Sequence, residues 1–333
     1  MLISARPYGK YTSFFEPPPV PKCRPPPRHE ILPCPHHARH LVVSAATARW
    51  TFGGGFNEYF EDARKMGVYR QRPIYEFART GYEALFRLAE ADAAYVEKRI
   101  EEIETKAVVS APKGEKGFVI GVHVRHGDCH PLEFQYSDSY IPLDRYRDRV
   151  VDISHGELNS SGSLKSVIKE HGAIVIASDD PDVYESEEFS HAVRAQEQIR
   201  LASKNAMPPA ARDHAQSDSI FRRFVDEAVG WEGGFFASMF WNLGQVTMTS
   251  TSLVELPDRK MPPTEEVLRL RELVGRAYLM DLAVLGSASD VVVCTVSSVG
   301  CRLLAVIMGW ESAFDNKGWV NIDGEFDWKG VPW

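Results

Sequence analysis

FVIGVHVR, residues 118–125, is the stretch on which the fold turns. It is short, almost wholly apolar and rich in β-branched residues, and it follows the turn-forming APKGEKG (111–117). A run of this kind reads as a strand buried on both faces, since a half-exposed strand would alternate apolar and polar residues. AIVIAS (173–178) and DVVVCTV (290–296) have the same character. QVTMTS (245–250) and WVNIDG (319–324) are weaker strand candidates.

Helical patterns fill the intervals. LKSVIKEHG (164–172) reads as a helix closed by Gly172, and further helical segments are expected around 183–205 and 218–230. TEEVLRLRELVGRAYLMDLAVLG (264–286) predicts a long helix, and SSVGCRLLAVIMG (297–309) another directly after the third strand. Buried strands alternating with helices predict an α/β fold, a doubly wound parallel sheet of Rossmann-like type, over residues 116–333. On such sheets ligands bind beyond the carboxyl ends of the strands.

Upstream, residues 1–115 read as a proline-rich arm and a helical region. PPPVPKCRPPP (17–27) is polyproline-like and predicts an arm lying on another surface. Leu85, Ala89, Val96, Ile100 and Ile103 recur at helical spacing, placing them on one face of a helix. Gly53-Gly54-Gly55 has no strand before it and no Lys-Ser/Thr after it, so it reads as a turn. Cys23, Cys34, His36, His37 and His40 match no standard zinc spacing.

With 333 residues, 44% of them hydrophobic, the chain can bury a substantial core. A net charge of −8 argues against a general nucleic-acid binder. No run approaches the ~20 apolar residues of a membrane helix, and the first residues do not form a signal peptide. Five cysteines are too few for a disulfide scaffold. Cys294 and Cys301 are close enough in sequence to pair across a strand-to-helix turn, as are Cys23 and Cys34 across a loop; reduced thiols fit equally well. Asn159-Ser160-Ser161 is a possible glycosylation triplet.

The strand ends carry the candidate chemistry. His123 and Arg125 lie at i and i+2, on one face of the first strand. A planar guanidinium there can bind a diphosphate through two parallel hydrogen bonds; its alternative is a structural pair with Asp128. The second strand ends in Asp179-Asp180-Pro181-Asp182. These carboxylates can bind sugar hydroxyls, hold Arg125, or cap a helix that has Pro181 at its first position. Asp180 and Asp182 also have the spacing of a metal-binding pair. The third strand ends in Ser297-Ser298 ahead of a helix, where free N–H groups and hydroxyls can hold an anion or simply cap. Asp281, on the long helix, can accept from the N1 and N2 protons of a guanine. No strand is followed by G-x-G-x-x-G, which argues against a nicotinamide-dependent dehydrogenase.

FVIGVHVRHGD, IVIASDDPDVYES and DLAVLGSASDVVVCTVSSVGCRLLA, in that order over residues 118–305, resemble the three motifs of the α1,6-fucosyltransferase family, which includes bacterial chitooligosaccharide fucosyltransferases and fungal members. The resemblance implies a nucleotide-sugar-binding domain that takes GDP-β-L-fucose as donor. It implies inverting transfer to a hydroxyl of an oligosaccharide or glycoprotein acceptor, with no metal or other cofactor. It places guanine recognition on His123 and Asp281, diphosphate binding on Arg125 with the Ser297-Ser298 turn, supporting contacts on Asp179 and Asp180, and Tyr146 near the donor. The family's base position falls at Glu133, with Asp128 the second choice. The resemblance also implies a Cys294–Cys301 disulfide and work in the Golgi lumen. The chain departs from the family at Cys129, where a lysine is usual, and at Val299, where the animal enzymes carry glutamine. Most of the family's N-terminal half is missing or rewritten. These departures keep open an inactive GDP- or glycan-binding relative, and transfer to protein hydroxyls is a further alternative.

Overall fold

The computed structural model describes residues 10–18, 71–111, 117–126, 141–155, 172–200, 231–232, 235–236 and 265–330. Its centre is a five-stranded, all-parallel sheet. The strands are β1 (Phe118–Val124), β2 (Gly172–Ser178), β3 (Val193–Arg194), β6 (Val291–Cys294) and β7 (Trp319–Asn321), in the order β3-β2-β1-β6-β7. A two-residue antiparallel pair, β4 (Trp231–Glu232) and β5 (Phe235–Phe236), stands apart from it. β1 aligns with β2 along its whole length, from Phe118 opposite Gly172 to Val124 opposite Ser178. On its other side β1 pairs with β6. Chain order therefore runs outward from β1 through β2 to β3, then resumes on the opposite side of β1.

Helices cover both faces, which is why the strands are apolar throughout. On one face α2 (Glu90–Ser110), α4 (Glu265–Ala288) and α5 (Val299–Met308) pack on Val119, Val175 and Val292. On the other, α3 (Leu143–His155) packs Tyr146 and Val150 against Ile120, Val122 and Ile174. Successive strand residues thus serve opposite layers. Asp92 of α2 takes both Arg276 nitrogens of α4, at 2.9 and 2.5 Å, tying the two helices together. Residues 90–110 accordingly share a core with the sheet.

α1 (Arg72–Leu85) docks on the far end of α5. Tyr75 meets Trp310, Phe314 and Trp328 edge-on. Its hydroxyl donates to Ala305 O, while Arg79 donates to the carbonyls of Val306 and Ile307. These are end carbonyls of α5 without helical partners, and a cation suits that terminus.

Three expectations change. The helix predicted through Leu85–Ile103 is two helices. The chain between them is extended because Leu88 bridges Phe15 and Ala89 donates to Phe14 O. Residues 10–16, expected to belong to an unpacked arm, pack instead: Phe14 is buried, and Ser13 bonds Glu272 at 2.7 Å. The helix expected from 183 is a single 3-10 turn, Pro181–Glu185, followed by turns and β3. Pairing with β2 wins there, and Arg99 of α2 receives the carbonyls of Arg194 and Ala195 as β3 ends. Gly172 begins β2 with φ of 138°; a Cβ there would stand 2.1 Å from Phe118 O, so only glycine fits. The helix predicted to end at it, and those at 201–205 and 218–230, lie outside the described residues. So do QVTMTS, Pro19 onward in the proline-rich stretch, Gly53–Gly55, the sequon, Cys23, Cys34, Cys129 and the early histidines. No helix among the described residues is long and apolar enough to cross a membrane.

Candidate functional site

Because the strands are parallel, the ends of β1, β2, β6 and β7 lie along one edge. The exit of β2 is a polar network. Arg125 Nη1 donates to Asp179 Oδ2 at 2.7 Å, and the backbone N–H of His126 donates to Asp179 Oδ1 at 2.8 Å. Arg125 is thus held by Asp179. Asp180 caps the 3-10 turn by accepting from the Asp182 N–H, and its other oxygen lies 3.0 Å from His126 Nδ1. A carboxylate only accepts, so that nitrogen carries the proton. Tyr184 closes the network, accepting from Ser178 N–H and donating to Ser178 O, with Arg194 over its ring at 4.1 Å. The capping expectation for Asp180 and Pro181 holds. Asp179 is 3% exposed, and burial raises its pKa despite the opposing effect of Arg125.

The exit of β6 is built differently. A disulfide joins Cys294, the last residue of β6, to Cys301 in the first turn of α5, with Cα atoms 5.4 Å apart. It pins the intervening Thr295–Gly300 turn. Asn321 of β7 supports the same turn: its side-chain oxygen accepts from Val296 N–H, and its amide reaches the carbonyls of Asp323, Gly324 and Phe326. Ser298 is the N-cap of α5, yet its hydroxyl makes no cap hydrogen bond. Among the described residues, the buried Oγ atoms of Thr295 and Ser297 and the buried Nδ1 of His123 have no hydrogen-bond partner. Asp323, 1% exposed, lies against Ser297 and Lys329. Its pKa is raised by burial, with Ser297 and Lys329 opposing.

His123 and Arg125 do share a face of β1, but they differ in depth. Arg125 is 27% exposed and His123 only 2%. The imidazole sits beneath the start of α5: a Cβ on Gly300 would stand 2.9 Å from its Nε2. Burial first, then Arg125, lowers its pKa to about 3, so it is a neutral imidazole. Asp281 is buried on α4 and accepts from Gln196 N–H at 3.3 Å. Burial pushes its carboxyl well above the usual range. Tyr146, expected near the donor, is 1% exposed and packs in the α3 layer with Val122 and Val124 of β1. Asp128 and Glu133 lie outside the described residues.

The chain matches no protein-family model and no curated protein. The site is therefore read from its own chemistry. One half of the edge fixes a guanidinium, and the adjacent half presents a helix start with unpaired hydroxyls at the point where strand order reverses. That combination suits an anionic ligand. Sequence reasoning missed Tyr278, Asn321 and Asp323. Tyr278 stands at i−3 from Asp281, and Asp323 closes WVNIDG, so helical spacing and the strand-end rule point to both.

Proposed function

We propose that this chain is an inverting fucosyltransferase with a Rossmann-like donor domain, taking L-fucose from GDP-β-L-fucose to a glycan hydroxyl. The observation that carries this reading is the juxtaposition of Arg125, anchored by Asp179 at the end of β1, with the disulfide-pinned α5 N-terminus, whose Ser298 hydroxyl caps nothing. Arg125 and the helix N–H groups would take the diphosphate and stabilise its charge as GDP departs. His123, held neutral, and Asp281 would meet the guanine. Motif order supports the donor identity, and Glu133 is the base by resemblance. Asp180 is already engaged by His126 and the Asp182 N–H, which favours diphosphate binding without an Asp180–Asp182 metal pair. The acceptor's carrier and the Golgi location belong to the same proposal.

Titration of GDP by calorimetry, with and without EDTA, tests it. Arg125→Lys, which keeps the charge but loses the planar fork, should weaken GDP about tenfold or more. Unchanged affinity in EDTA is expected. A requirement for divalent metal overturns the metal-free mechanism, and absence of GDP binding overturns the donor assignment. GDP binding without sugar transfer or donor hydrolysis supports an inactive relative instead.

A further inference from the structure

Tyr278 stands at the centre of the site. It lies three residues before Asp281 on α4, so the two share a helix face. Its ring centroid is 6.3 Å from that of His123. Its hydroxyl reaches the second residue of α5: a Cβ on Gly300 would stand only 2.4 Å from it. The charges around it are those of the site itself, Arg125, Asp179, Asp281 and Arg302. Among the described residues the hydroxyl has no hydrogen-bond partner. Nor do the nearby His123 Nδ1 and Thr295 Oγ1, each on a side chain at most 2% exposed. Tyr278 is partly buried, and a phenol so placed ordinarily finds an acceptor.

The geometry points to Tyr278 as a further ligand-binding residue, its hydroxyl donating to a non-bridging phosphate oxygen of the nucleotide held between Arg125 and the start of α5. This rests on the donor reading above. Among the described residues the features of positive potential around it are Arg125, Arg302 and the helix start, and a phosphate oxygen is the acceptor they would draw to this hydroxyl. Burial, chiefly, pushes the phenol's pKa up to about 12, so it stays protonated and can donate throughout the working pH range.

Tyr278→Phe removes one oxygen that makes no hydrogen bond among the described residues, so its melting temperature should match wild type. Its affinities for GDP and for inorganic pyrophosphate, measured by calorimetry, should both fall about ten- to hundredfold. Equal affinities for wild type and variant overturn the role of Tyr278 and leave the donor reading standing. Weaker GDP with unchanged pyrophosphate overturns the phosphate contact, placing the hydroxyl on the nucleoside. Wild-type protein that binds neither probe overturns the donor reading and Tyr278 together.

Discussion

The two sides of β1 end in opposite conditions. Toward β2, most of the polar groups engage one another: Asp179 takes Arg125 and the His126 N–H, Asp180 takes the Asp182 N–H and faces His126, and Tyr184 satisfies both backbone groups of Ser178. Toward β6, His123 and Thr295 keep buried polar atoms without partners among the described residues. Each such atom costs about 1–3 kcal/mol. A fold that bears this cost at one strand end, next to one where Asp179 and Arg125 hold each other, leaves polar groups there that a ligand can meet. The β2 side is a scaffold that aims a guanidinium; the β6 side is where a ligand can complete the hydrogen bonding.

The largest effect should come from opening the scaffold. Asp179→Ala removes the partner of Arg125 and the acceptor of His126 N–H. Breaking a buried ion pair costs about 3–5 kcal/mol. The lower end is expected here, about 3 kcal/mol, because Arg125 remains partly exposed and losing Asp179 also relieves the burial of its carboxylate. Urea unfolding measures this directly. A loss below about 1 kcal/mol would mean that the pair does not hold the edge together and that the contrast between the two sides is smaller than the hydrogen bonding suggests.

Asp281→Asn sharpens the contrast through pH. The folded carboxyl titrates well above its ordinary value of 3.8 because it is buried. From about that value up to the raised one, the unfolded chain gives up a proton that the folded chain keeps, so stability falls as pH rises across the interval. Asparagine can still accept from Gln196 N–H but does not ionise. Melting temperatures of Asp281→Asn minus wild type should therefore increase from pH 4 upward, and a difference independent of pH would sink this account. The same variant should weaken GDP while sparing pyrophosphate, if the carboxylate meets the base.

Much of this was legible in the sequence. Two-sided burial made FVIGVHV, AIVIAS and VVVC plain, and β1, β2 and β6 lie within one residue of their expected starts. Arg125, Asp179 and Ser298 could be placed at strand ends and a helix start because such positions have fixed chemistry, whereas Asp281, inside α4, rested on the resemblance. What failed was set by tertiary contact. Residues 86–89 extend because Phe14 and Phe15 offer backbone partners some seventy positions away, and residues 193–194 form a strand because β2 has a free edge there. Tyr278 went unseen because a tyrosine in a long amphipathic helix looks like core until Gly300 is brought against it.

The smallest stability effect should fall on the side with the unmade bonds. Ser298 and Asp180 are both N-caps, but only Asp180 bonds to its helix. Asp180→Ala should cost about 1 kcal/mol, the usual value of a working cap. Ser298→Ala removes no cap bond and should cost under about 0.5 kcal/mol. Ligand binding should rank them the other way: GDP affinity falls with Ser298→Ala, whose hydroxyl is free to meet a phosphate, and stays closer to wild type with Asp180→Ala, whose oxygens are already engaged. Chemical unfolding and GDP titration on the same two variants give the crossing. If the cost to stability and the cost to binding fall on the same serine, or on the same aspartate, then the two strand ends do not divide the labour of scaffold and site.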